Sequence, residues 1–128
     1  MTLFLRPVIL VGAFMAASVA LAQTAAPAKV TDTSKGKALV DATGMTLYTF
    51  DRDTAGKSAC NGQCAQNWPP LTAAANASAS GDWSVITRDD GSRQWAYKGK
   101  PLYLWVKDTK PGEVTGDGVN NVWHVATP

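Results

Sequence analysis

The chain has one histidine and two cysteines in 128 residues, and that scarcity excludes much chemistry at once. A histidine-rich metal site cannot be built, and a Ser/His/Asp arrangement would have to rely on His124. Gly-x-Ser-x-Gly, a glycine-rich phosphate loop and zinc-type cysteine spacing are all missing from the sequence. No run of one charge sign occurs: 12 Lys and Arg stand against 10 Asp and Glu, a net charge of +2, so long-range attraction to nucleic acid or anionic lipid is not expected. Lys98 and Lys100 read as solvated turn residues. No cofactor, no metal and no enzymatic activity are expected.

The long apolar run lies at the start. Residues 1–22 have the three parts of an export signal: Arg6 as the positive start, an apolar stretch over 8–19 and the small-residue cleavage site Ala20-Leu21-Ala22. The stretch is shorter than the ~20 residues that cross a bilayer and follows Pro7, so it reads as a signal rather than an anchor, with no stable membrane insertion after cleavage. A periplasmic or secreted protein is implied. Such a chain meets an oxidising compartment, where Cys60 and Cys64 close into a disulfide. The bridge spans a short loop and contributes about 2 kcal/mol by the loop-entropy formula. Its three intervening residues differ from the two of thioredoxin-like motifs, which favours a structural bridge over a redox centre.

What is abundant is internal repetition. Gly44, Leu47, Tyr48, Asp53, Thr54 and Trp68 recur 55 residues later as Gly99, Leu102, Tyr103, Asp108, Thr109 and Trp123, while Phe50 answers to Trp105 and Arg52 to Lys107. About one or two identities are expected by chance over such a span, so a gapless register of this kind indicates two copies of one structural unit.

The expected organisation is a flexible leader over 23–37, which lacks apolar periodicity, followed by one domain over 38–128 with repeats at about 38–71 and 83–125. The fold class expected is all-β or β-dominated: two pseudo-symmetric hairpin repeats sharing one core, with a short helical turn after the cysteine loop. In the first copy, strands at 38–40 and 45–50 would form a hairpin about Thr43-Gly44. In the second, 83–87 and 94–97 flank the turn at Asp90-Gly91, and 102–106 reads as a central strand because both its faces are apolar. The helical turn at 64–68 must stop at Pro69-Pro70. A last strand covers 123–125, and the turn-rich loop at 112–121 stands where the first copy carries its cysteines. Residues 72–81 read as a surface connector; the glycosylation triplet Asn76-Ala77-Ser78 within it carries no assigned role.

Tyr48, Phe50 and Asp53, and again Tyr103, Trp105 and Asp108, fit the pattern Tyr, any residue, aromatic, any two residues, Asp. With Gly44-Met45-Thr46-Leu47, the Cys60 to Leu71 segment and Gly116-Asp117-Gly118, this resembles a bacterial family described as predicted lipoproteins with a Yx(FWY)xxD motif, also called secreted repeats of unknown function. The resemblance covers about residues 39–123 and implies no activity. The chain departs from the family's name in lacking a lipid-accepting cysteine after the cleavage site.

Asp53 and Asp108 each follow an aromatic strand, where a carboxylate accepts backbone N–H groups and holds the exit turn; a joint acidic site across the pseudo-twofold is the functional alternative. The tryptophans read as core, with Trp95 and Tyr97 the pair best placed for an exposed binding face. Met45 beside His124 is too thin a ligand set for copper. The functional expectation is a non-enzymatic envelope binding or interaction module for an unidentified small molecule, glycan or envelope protein. The alternative is a small redox or metal-handling protein using Cys60, Cys64 and His124.

Overall fold

The computed structural model describes residues 26–128; the expected signal at 1–22 and residues 23–25 lie outside them. The chain is β-dominated. Among the described residues the strands are β1 (Lys29–Thr33), β2 (Gly36–Val40), β3 (Tyr48–Phe50), β4 (Trp83–Thr87), β5 (Arg93–Tyr97), β6 (Lys100–Pro101) and β7 (Trp123–Val125), with one helix, α1 (Gln63–Asn67), and a 3-10 turn at Val119–Asn121. Among the described residues no helix is long and apolar enough to cross a membrane.

The leader ends earlier than the sequence suggests, because Lys29–Thr33 is a strand. β1 pairs antiparallel with β2 from Lys29↔Val40 to Thr33↔Gly36, and Thr33 Oγ1 donates to the Gly36 carbonyl at 2.7 Å to fasten the turn. This hairpin occupies the place in the first copy that β4–β5 occupies in the second, where Trp83↔Tyr97 to Thr87↔Arg93 are paired. The first repeat therefore starts near residue 29, not 38. β1 leaves no apolar signature because both its faces are largely solvated, Val30 included at 51 % exposure.

The expected hairpin between 38–40 and 45–50 is reduced to a turn. Asp41 N donates to the Met45 carbonyl, Leu47 N to that of Leu39, and a lone bridge joins Val40 to Thr46. Gly44 takes φ +89°, and its counterpart Gly99 takes +82°, a region that only glycine enters without strain.

Beyond that turn the first copy stops pairing with itself. β3 runs antiparallel to β7, the last strand of the second copy, with Tyr48↔Val125, Thr49↔His124 and Phe50↔Trp123 in register. Reciprocally, the end of the first copy lies along the second copy's motif strand: Leu71 N donates to Leu102 O, Leu104 N to Pro69 O and Val106 N to Asn67 O. The copies have exchanged their final segments. Two equivalent hydrogen-bond circuits result. Leu39 N bonds Ala126 O, Ala126 N bonds Leu47 O and Leu47 N bonds Leu39 O; Trp95 N bonds Leu71 O, Leu71 N bonds Leu102 O and Leu102 N bonds Trp95 O. Where the copies meet, Tyr48 N donates to Tyr103 O at 2.8 Å and Tyr103 N to Tyr48 O at 3.0 Å, so the approximate twofold passes between these residues.

The strand expected over 102–106 does not form a regular ladder: β6 ends at Pro101, and beyond it Tyr103 makes only isolated bridges, although Leu102 to Val106 keep backbone hydrogen bonds to segments on both sides. Its alternation separates two cores. Leu102 joins Ala28, Leu39, Leu47 and Ala126, with Leu71 and Leu104 packed against them. Tyr103 joins Tyr48, Cys60, Trp68 and Trp123, flanked by Phe50 and Trp105. Period-2 geometry sends neighbouring residues to opposite faces, and each repeat contributes a Leu-Tyr pair to divide the interior in the same way.

Candidate functional site

Segment exchange decides where the motif side chains go. Tyr48 Oη donates to Asp108 Oδ2 at 2.5 Å, and Tyr103 Oη to Asp53 Oδ2 at 2.6 Å. Each motif tyrosine thus bonds the aspartate of the other motif. The second carboxylate oxygens serve the exit loops: Ala59 N donates to Asp53 Oδ1 at 2.7 Å, and Thr115 N and Oγ1 donate to Asp108 Oδ1 at 3.0 and 2.5 Å. The turn-fixing role expected for both aspartates is therefore in place, each with its own set of donors.

Burial raises the Tyr48 phenol well above the ordinary phenolic range, and the Asp108 hydrogen bond adds to it. The Tyr103 phenol is raised for the same reasons, burial first and Asp53 second. Burial also lifts the Asp53 carboxyl above the usual carboxylate range, against the opposing pull of Ala59 N, Tyr103 and the Arg88 charge.

The motif aromatics cross over as well. Phe50 stacks on Trp123 with centroids 4.2 Å apart and 11° between planes, Trp123 on Trp68 at 3.8 Å and 3°, and Trp68 on Trp105 at 3.9 Å and 23°. The result is one continuous four-ring stack, Phe50-Trp123-Trp68-Trp105, whose two halves exchange under the twofold. Tyr48 meets Trp68 edge-on at 5.4 Å, and Tyr103 meets Trp123 edge-on at 5.2 Å, the geometry that ring quadrupoles favour. The inner indoles are 4 % and 3 % exposed, while Phe50 and Trp105 are half-buried. Gly116 packs beneath this assembly and donates its N–H to Tyr48 Oη at 3.2 Å; a Cβ there would lie 2.9 Å from both Trp68 and Tyr48 ring atoms.

One flank is asymmetric. Ser58 Oγ lies 2.6 Å from Tyr103 Oη and accepts from buried Arg88 Nη1 at 3.0 Å. Arg88 also donates to Gln94 Oε1 at 2.7 Å and to the Cys60 carbonyl, and Gln94 Nε2 donates to Leu102 O at 2.7 Å. These neutral acceptors hold a guanidinium inside the domain beside Asp53. The Cys60–Cys64 disulfide closes the loop above it. Ser58, Arg88 and Gln94 lie outside the repeated motif and nothing in the sequence marks them as a site, and Gly116 enters the sequence reading only as part of a turn-rich cluster. The Gly116-Asp117-Gly118 cluster was the available signal, though it reads as turn chemistry rather than as ring contact.

The surface carries two adjoining clefts of about 300 and 340 Å³ that share Thr49, Asp51, Lys98 and Lys100. Phe50 and Asp53 line one end, and Tyr97 and His124 the other. His124 Nε2 sits 2.7 Å from Asp51 Oδ2 on the exposed face of the β3–β7 ribbon. A separate cleft of about 370 Å³ runs along the edge of the aromatic stack, lined by Phe50, Arg52, Cys64, Trp68 and Trp123 among others.

Of the three residues of the redox or metal alternative, Cys60 and Cys64 are joined to each other as a disulfide, while His124 stands apart from them in the cleft that Lys98 and Lys100 line. Among the described residues no three His, Cys, Asp or Glu side chains are grouped to hold a metal ion. The pair singled out as an exposed face is also divided. Trp95 is buried against Trp83 at 6.2 Å, and Tyr97 alone reaches the groove.

No curated protein and no solved structure matches the chain. The family described as a secreted repeat of unknown function matches residues 29–72 and again 84–127, starting where β1 begins and taking in both exchanged ends. The chain therefore belongs to the family of secreted repeats of unknown function, and two interlocked copies of that repeat make up its described domain.

Proposed function

We propose that this exported protein is a non-catalytic binding module of the periplasm or the cell exterior, and that it takes its ligand in the groove over Thr49, Asp51, Lys98, Lys100 and His124. The observation that carries this reading is the continuity of the two clefts across those shared residues. Lys98 and Lys100 have no acidic partner within salt-bridge distance among the described residues, and they face an Asp51–His124 pair across the groove. Concave sites with a few convergent polar groups beside an aromatic wall, here Phe50 and Tyr97, suit a polar small molecule or a glycan fragment. The hydroxyl and carboxylate groups of the motif tyrosines and aspartates are already bonded to one another, which leaves polar contact with a ligand in this groove to the lysines and the Asp51–His124 pair.

Titration of the isotope-labelled mature chain with charged and neutral glycan fragments and short peptides tests this. Amide shifts clustered at Thr49, Lys98, Lys100 and His124, lost in Lys98→Glu/Lys100→Glu, are expected. Turnover of a substrate by the purified protein overturns it. For the redox alternative, a Cys60→Ser/Cys64→Ser variant is the discriminating case: earlier melting with unchanged binding marks the bridge as structural, and loss of electron exchange in a folded protein marks it as functional.

A further inference from the structure

We propose that the four-ring stack and its two tyrosine–carboxylate pairs form a one-electron relay, which carries an oxidising equivalent from the surface at Trp105 to Tyr48 and Tyr103 inside the domain. This inference is independent of the groove and rests on the arrangement of the second core.

Three features distinguish the arrangement from ordinary aromatic packing. The indoles of Trp105, Trp68 and Trp123 are in unbroken contact, at 3.9 and 3.8 Å between centroids, so a vacancy created in one can pass to the next. The ends differ chemically. Phe50 caps one end of the stack, and a phenyl ring is far harder to oxidise than an indole, whereas the other end is half-buried Trp105, more exposed than either inner indole. Entry is therefore at Trp105. Finally, both inner indoles meet a tyrosine edge-on, and each phenol is hydrogen-bonded to a carboxylate at 2.5 or 2.6 Å.

That hydrogen bond matters because a phenol releases its proton when it gives up an electron, and a buried phenol needs an acceptor already in place. On the Tyr48 side the Asp108 carboxylate only accepts: Thr115 N and Oγ1 donate to Oδ1 and Tyr48 donates to Oδ2. The charging step balances as follows. A one-electron oxidant of the extracytoplasmic space, such as a high-valent metal centre or an oxidising radical, takes one electron from Trp105. Trp68 refills Trp105, and Tyr48 refills Trp68 while its proton moves from Oη to Asp108 Oδ2. The products are the reduced oxidant, a neutral Tyr48 phenoxyl radical and a protonated Asp108. The Tyr103 branch runs through Trp123 with Asp53 as proton acceptor.

Flash oxidation of the folded chain by a photogenerated ruthenium(III) polypyridyl complex, followed by transient absorption and electron paramagnetic resonance, tests the relay. The expected result is an indole radical that converts to a neutral tyrosyl radical, with conversion slower in deuterated solvent. In Tyr48→Phe/Tyr103→Phe the oxidation should remain on indole, and in Trp105→Phe, which copies Phe50 and leaves both tyrosines intact, the tyrosyl signal should be lost. Asp108→Asn should retard transfer to Tyr48 in a protein that remains folded by circular dichroism. A tyrosyl signal that disappears only in Tyr97→Phe, or one unchanged in folded Trp105→Phe, overturns the relay.

Discussion

Tyr48 gives its phenolic hydrogen to Asp108, 2.5 Å away in the second copy, while Asp53 of its own motif receives Tyr103. The motif is therefore completed between the copies. The same exchange appears in the backbone, where β7 pairs with β3, and in the rings, where Phe50 lies on Trp123 and Trp105 on Trp68.

A double-mutant cycle reads this crossing directly. Tyr48→Phe combined with Asp108→Asn should show a coupling of about 1–3 kcal/mol in urea unfolding, as expected for a buried hydrogen bond to a charged group. Tyr48→Phe combined with Asp53→Asn should couple by less than about 0.5 kcal/mol. The reverse order of couplings would place each tyrosine with its own motif's aspartate.

Alkali should unfold the protein through these two phenols. Both are held protonated in the folded chain above their ordinary range, so below pH ~10 folded and unfolded chains bind the same two protons. Above that pH the unfolded chain releases them first, the folded chain binds two more, and stability falls by about 2.7 kcal/mol per pH unit. Tyrosinate absorbance from Tyr48 and Tyr103 should appear together with the loss of near-ultraviolet circular dichroism, and Tyr48→Phe should halve the slope.

Gly116→Ala tests the packing beneath the stack. The added methyl would sit 2.9 Å from Trp68 and Tyr48 ring atoms, and neither ring can retreat without disturbing its own stacked or edge-on partner. A loss of about 1–3 kcal/mol is expected, as for overpacking of a filled core. Calorimetry gives the loss, and indole near-ultraviolet bands should change with it.

Exchange of the final segments makes each repeat incomplete alone. A chain cut between Ser78 and Ala79, within an exposed connector, should yield two fragments that are unfolded separately and combine one to one when mixed. Size-exclusion chromatography with circular dichroism checks both halves of the expectation. An independently folded 29–72 fragment would remove the interlocked architecture.

Much of the fold was legible because its signals are local. Pro69-Pro70 ends the helix that occupies Gln63–Asn67, Asp90-Gly91 lies in the loop of the β4–β5 hairpin, and the alternation of Leu102 with Tyr103 separates the two cores. β1 was missed because a strand solvated on both faces has no apolar period. The hairpin expected in the first copy failed because residues 45–50 are attractive to any strand edge, and the edge they found belongs to the other copy. Ser58, Arg88 and Gln94 gave no signal, since a buried polar cluster assembled from the cysteine loop and the distant β4–β5 hairpin has no spacing in sequence.

The sequence by itself determined that there are two equivalent units, what each contributes and which residues alternate inward, because repetition and period are properties of neighbouring residues. Tertiary structure alone decided that Tyr48 would answer to Asp108 and Phe50 to Trp123. The two aspartates are chemically alike, as are the two tryptophans, so no local preference separates partners within a copy from partners between copies; the path of the chain after each motif, which carries its last segment across the twofold, makes that choice.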